Sequence, residues 1–184
     1  MSEIKNLYVI EWMGPYDSLD DMYQRVGVED CRLYIITGKL PYDRLPGIKY
    51  VGITKRFVYK RLKDKDHQLK QQDIKDKQYW AGRFSVSSYN NPKISSNKSK
   101  AELVEYLLVR YLSNIPGTKM INEKKTYTDP QKPVVVISRG QRKFSDEERY
   151  NKPSVLSKLP DVLMYVDNKF YVSEKLKYVL DTSE

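Results

Sequence analysis

Two apolar, β-forming segments, Cys31 to Thr37 and Ile48 to Ile53, flank a connection marked by breakers: Gly38 at one end, Pro41 within it and Pro46-Gly47 at the other. Runs this short and this rich in Ile, Val and Tyr, bounded by Gly and Pro, favour paired strands over a helix. The simplest closure is an antiparallel hairpin with a long connection. Strand side chains alternate faces, so Tyr34 is expected to share a face with Ile36, and Tyr50 with Ile48. Matched register would then bring both tyrosine hydroxyls to one surface.

Around this hairpin the chain alternates strand and helix signals. Leu7 to Ile10 reads as a short strand, and Ser18 with Asp21 as the cap of a short helix from about Leu19 to Arg25. Lys55 to about Asp66 suits a helix in which Phe57 and Val58 are spaced i+3 and i+4 from Arg61 and Leu62, which places Arg61 near its inner face. Tyr79-Trp80 and Phe84 to Val86 suggest a third strand, and the polar stretch from Ser87 to Ser99 reads as a basic loop suited to a phosphate backbone. The strongest helix begins near Ser99, where Val104, Leu107, Leu108, Tyr111 and Leu112 follow the spacing of one buried face. At about 100° per residue, Glu105 falls on the border of that stripe, half-buried, and Glu102 points away from it.

Pro116-Gly117 ends this region, and Asn122 follows in a lysine-bearing segment. Past Pro130, Val134 to Ile137 reads as a strand, Ser145 with Glu148 as a helix cap, and Val162 to Val166 with Lys169 to Val172 as a hairpin across Asp167-Asn168. A final helix is expected from Glu174 to Leu180. The organisation this implies is an N-terminal lead-in (1–30), a core (31–128) and a C-terminal extension (129–184).

Composition narrows the chemistry. The 33 Lys and Arg against 24 Asp and Glu leave a net charge of +9, which points to a polyanionic partner, nucleic acid first. Cys31 is the only cysteine, which excludes a disulfide within this sequence and a cysteine-cluster metal site, and fits a reducing cytoplasm. No basic segment leads into an apolar run and no stretch reaches the roughly 18 apolar residues of a span, so neither export nor membrane insertion is expected. That His67 is the only histidine argues against nucleases of the zinc-ligated or histidine-metal type and against Ser-His-Asp hydrolysis. Whatever chemistry occurs must use Tyr, Arg, Lys, Glu or Asn.

Arg32-Leu33-Tyr34, Tyr50-Val51-Gly52, Lys60-Arg61-Leu62, Val104-Glu105-Tyr106-Leu107-Leu108-Val109 and Asn122 stand in this order along the chain. As an ordered set they resemble the motifs of the GIY-YIG nucleases over roughly Cys31 to Lys125, with the first motif keeping its tyrosine and losing its glycine. The resemblance implies an α/β (α+β) fold with a small three-stranded antiparallel sheet flanked by helices, here with the N-terminal lead-in and a C-terminal hairpin and helix as additions. It implies a site of Tyr34, Tyr50, Arg61, Glu105 and Asn122, with Lys55 and His67 as accessory groups; taken alone, His67 reads as a surface side chain.

The activity implied is metal-dependent endonuclease cleavage of DNA, with RNA as an alternative substrate. Glu105 would hold Mg²⁺ or Mn²⁺, which prefer oxygen ligands and complete their shells with water and phosphate. Arg61 would grip the phosphate, Tyr50 would act as general base, Tyr34 would orient the water or share that role, and Asn122 would orient the site or support its backbone. A phenol with an ordinary pKa of about 10 serves as a base only if cations such as Lys55 and Arg61 depress it. Lys55, Lys60, Lys63, Lys98, Lys100, Lys124 and Lys125 are the candidate nucleic-acid contacts. The competing expectation is a catalytically silent module of the same kind that binds nucleic acid or a protein.

Overall fold

The structure, a computed structural model, describes residues 6–25, 31–64, 67, 72–85, 98–122, 129–130, 133–140 and 154–173. Its described strands form a single sheet. In chain order the elements are β1 (Asn6–Tyr16), α1 (Leu19–Arg25), β2 (Cys31–Lys39), β3 (Gly47–Ile53), α2 (Val58–Lys63), β4 (Lys75–Phe84), α3 (Lys98–Asn114), β5 (Val134–Gly140), β6 (Val162–Val166) and β7 (Lys169–Ser173). The strand order across the sheet is β3-β2-β4-β1-β5-β6-β7.

This overturns the expected three-stranded sheet flanked by helices. Strands β3, β2 and β4 do lie side by side, but β1 pairs antiparallel with β4 and parallel with β5, and β6 and β7 continue the ladder, giving a curled, mixed seven-stranded sheet. The physical reason is β1. Buried along most of its length, with Ile10 fully covered and Trp12 and Met13 nearly so, it needs neighbours on both edges, and the hydrophobic run Val134 to Ile137 supplies the second. The C-terminal strands thus continue the sheet instead of decorating its outside.

Two apolar layers cover this sheet. On one face Tyr8, Ile10, Trp12, Leu33, Ile35, Val51, Val134, Val136 and Leu163 meet Val104, Leu107, Leu108 and Leu112 of α3. Those four helix residues are fully buried, as i, i+3, i+4 and i+8 spacing demands of a core helix. On the other face Tyr34, Ile36, Tyr50 and Ala81 meet Met22 of α1 and Val58 and Leu62 of α2.

The hairpin register differs from simple alternation. Ile36 pairs with Tyr50 but Thr37 pairs with Ile48, so Lys49 is an extra residue on β3, a β-bulge. The bulge reverses the facing between Ile48, which joins the α3 layer, and Tyr50, which joins the α1–α2 layer. Tyr34 and Tyr50 therefore do share a face, while Ile48 lies on the other one.

At the far end Asp167 and Asn168, both with positive φ (48° and 59°), make the tight turn between β6 and β7. Among the described residues no helix is long and apolar enough to cross a membrane. The segments expected as a basic loop before Ser99, a cap at Ser145 and a last helix from Glu174 lie outside the described residues, apart from the start of α3.

Candidate active site

Tyr34 is the centre of the arrangement. It sits in mid-β2, 1% exposed, opposite Gly52 of β3. That glycine has a structural reason: a Cβ there would meet the Tyr34 hydroxyl oxygen at 2.5 Å and Tyr50 Cε1 at 2.6 Å. Its bare backbone lets the two rings lie over β3, stacked with centroids 5.8 Å apart and planes 18° apart.

His67, four residues beyond the end of α2, closes over this pair. Its Nε2 is hydrogen-bonded to the Tyr34 hydroxyl at 2.9 Å, and its ring meets Tyr50 edge-on with centroids 5.4 Å apart. The expected surface histidine is in fact 2% exposed. Sequence gave little signal of this, because the residues around His67 are charged and polar and carry no periodic apolar stripe.

Glu105 joins from α3. It is 1% exposed, more deeply buried than the half-covered position expected from the helix stripe. Its charge and that of Arg61 both act on Tyr34, which places all three side chains in one electrostatic neighbourhood. Burial pushes the Tyr34 hydroxyl well above the ordinary phenol value of 10.0; Tyr50, as charge and hydrogen-bond partner, and Glu105 push the same way, and only Arg61 opposes them. At Tyr34, desolvation and two acidic neighbours outweigh one guanidinium.

Arg61 is partly exposed and bonds the Asp64 carboxylate through Nη1 at 2.9 Å; Arg56 pairs with the same oxygen. The Arg61 hydrogen bond, with help from Arg56, holds the Asp64 carboxyl below the usual carboxylate value. Asp64, which sequence reading passed over, thereby fixes the end of α2 and the direction of Arg61.

Asn122 does not reach the tyrosines through any bond the structure shows. Its Nδ2 donates to the Val51 carbonyl at 2.6 Å and its Oδ1 accepts from the Val51 amide at 3.0 Å, while the Ile121 amide donates to the Lys49 carbonyl at 2.7 Å. A side chain thus supplies the missing ladder partner of the edge strand, one residue from Tyr50.

Lys55 directs an exposed side chain to solvent; its carbonyl accepts from Arg32 Nη1 at 2.9 Å. Lys60 is exposed above the Phe57 ring, Lys63 is exposed and pairs with Asp20, and Lys100 is half-buried. The Lys98 side chain, Lys124 and Lys125 lie outside the described residues.

The donor set is consistent with a hard divalent cation held by few protein ligands. Among the described residues no three of His, Cys, Asp and Glu cluster as a metal cage. Mg²⁺ does not need one, since it is commonly bound through one or two carboxylates with water and substrate phosphate. Glu105 is the buried carboxylate whose charge acts on Tyr34. No protein-family model, curated protein or solved structure matches the chain.

Proposed function

We propose that the chain is a divalent-metal-dependent endonuclease that hydrolyses phosphodiester bonds, with DNA as substrate. The observation that carries this reading is the buried pair Tyr34 and Tyr50, with His67 hydrogen-bonded to Tyr34 and packed edge-on against Tyr50, together with the charges of Arg61 and Glu105 that act on Tyr34. A buried tyrosine pair clasped by a buried imidazole, with a carboxylate and a guanidinium acting on it, is a set of perturbed ionisable groups of the kind that marks reaction sites.

In this reading Glu105 is the protein ligand for Mg²⁺ or Mn²⁺, which when bound neutralises charge on the scissile phosphate. Arg61, whose side chain is partly exposed, holds the phosphate. Tyr50 receives the proton of the attacking water as the new P–O bond forms and the bond to the leaving oxygen breaks. Tyr34, kept protonated by its burial, lies stacked against the Tyr50 ring and holds it in place. The hydrogen bond between the Tyr34 hydroxyl and His67 Nε2 fixes the position of the Tyr34 ring. Asn122 keeps β3 and hence Tyr50 in register.

The net charge of +9 supports a nucleic-acid substrate, and competition between RNA and DNA decides the polymer. One observation favours a catalytically silent binding module: Arg61 is engaged by Asp64, and substrate must compete for it.

Supercoiled plasmid incubated with the protein in Mg²⁺, Mn²⁺ or EDTA distinguishes the two. Metal-dependent nicking that is lost in Tyr50→Phe and Glu105→Ala supports the enzyme. Plasmid left intact by a protein that still shifts it on a gel supports the module.

A further inference from the structure

The connection between β2 and β3 carries a feature the cleavage site does not use. Leu40, Pro41, Tyr42 and Asp43 form a tight turn in which the Asp43 amide donates to the Leu40 carbonyl at 3.0 Å and Tyr42 has a φ of 73°. Proline second and a positive φ third define a type II turn, whose third position favours glycine because an L side chain crowds the backbone there. Tyrosine occupies it instead, 97% exposed, and so buries almost none of its ring against this chain. Leu45 is 78% exposed and Arg44 beside it is exposed too.

The base of the turn is fixed. The Asp43 carboxylate accepts from the Leu40 amide at 2.8 Å, pairs at 2.7 Å with the buried Lys49 of the β-bulge and lies 3.6 Å from Lys119. A rigid pedestal therefore presents a strained tyrosine, an arginine and a leucine to solvent. A side chain that strains its backbone and buries almost nothing does little for folding, and departures of this kind concentrate where a surface meets a ligand.

The chemistry of the tip selects the ligand. A flat ring with an adjacent aliphatic group suits the face of a base, since aromatic side chains stack on bases and apolar wedges enter unstacked steps. Arg44 suits the neighbouring phosphate. Along β3 the tip lies on the order of 10–20 Å from Tyr50 at ~3.3 Å per residue, a distance of about three to six base pairs at ~3.4 Å each.

We infer that the Tyr42–Leu45 tip is a nucleic-acid wedge: Tyr42 stacks on a base at an unpaired or opened step and Arg44 holds the adjacent phosphate. This rests on the nucleic-acid part of the proposed function and not on catalysis.

The test uses the full chain in EDTA, with labelled 20-mer-scale duplexes that are fully paired or carry a central unpaired base, and compares the parent with Tyr42→Gly and Leu45→Ala. Glycine relieves the strain, so Tyr42→Gly keeps or raises Tm. Its affinity for the unpaired-base duplex falls about 5- to 100-fold, with a smaller loss in Leu45→Ala, and the parent's preference for that duplex over the paired one disappears. Equal affinity of Tyr42→Gly and parent, or no DNA binding by the parent, overturns the wedge. Plasmid cleavage in Mg²⁺ with Tyr42-independent binding would leave the nuclease standing and the wedge overturned; Tyr42-dependent binding without cleavage would do the reverse.

Discussion

Alanine at position 52 would place its Cβ 2.5 Å from the Tyr34 hydroxyl oxygen and 2.6 Å from Tyr50 Cε1, where ordinary contact begins at 3.4 Å. Neither ring can swing aside freely, because both are buried and Tyr34 is hydrogen-bonded to His67 at 2.9 Å. Relief requires a displacement of about 1 Å, enough to carry that bond beyond hydrogen-bonding range. Overpacking costs about 1–3 kcal/mol and an orphaned buried hydroxyl about 1–3 kcal/mol; because one relaxation relieves the other, about 2–4 kcal/mol is expected for Gly52→Ala. At about 2–4 °C per kcal/mol for a chain of this size, Tm falls by about 4–16 °C. Under the proposed function, cleavage is expected to fall about 100-fold through misplacement of the tyrosines. Thermal unfolding followed by circular dichroism measures the first effect and single-turnover cleavage the second. Gly47→Ala, with nothing within 4 Å of its Cβ, is the control and leaves both unchanged. A Gly52→Ala protein with the parent's Tm would refute the reasoning, since it would mean the rings are not held where they are.

Tyr34 has a pKa raised above its unfolded value of 10.0, so its contribution is complete below pH 10 and is lost as pH rises above it; Tyr34→Phe should therefore lose stability less steeply in alkali, read from urea midpoints between about pH 8 and 11. Asn122→Ala removes both bonds to Val51 and is expected to cost about 1–3 kcal/mol by chemical denaturation, with faster amide exchange at Val51; unchanged exchange there would contradict its edge-strand role. Arg110 lies over the rings of Tyr165 and Phe170 (5.3 and 5.9 Å), bonds the Tyr165 hydroxyl at 3.1 Å and pairs with Asp129, tying α3 to the last hairpin. Arg110→Met should cost about 1–3 kcal/mol and loosen β6 and β7 in hydrogen exchange; protection identical to the parent's would count against that tie.

What sequence could show and what it could not divides along range of interaction. The α3 face was readable because Val104, Leu107, Leu108 and Leu112 repeat at helical spacing, and the turn at Asp167-Asn168 because those residues tolerate positive φ. The full length of β1 was hidden by Gly14-Pro15, which reads as a break. The ladder to β4 passes over it through an irregularity between Met13 and Tyr16. The parallel pairing of β1 with β5 joins residues more than a hundred positions apart and leaves no local pattern, so the seven-stranded sheet was not legible. At the site, the residue types were visible one by one, whereas the bulge at Lys49, the burial of His67 and the clasp of Arg61 by Asp64 arise only from tertiary packing. Gly52 was the one local hint, a glycine two residues after a strand tyrosine, bare because another ring lies over it.

The most direct test replaces one oxygen by nitrogen at the buried carboxylate. Glu105→Gln preserves size and removes the charge, so the variant should fold and bind DNA as the parent does while its Mg²⁺-dependent cleavage, measured under single turnover with affinity determined on the same duplex, falls at least about 100-fold. Cleavage by Glu105→Gln at the parent's rate would show that the cluster around Tyr34 is not the site of phosphodiester hydrolysis.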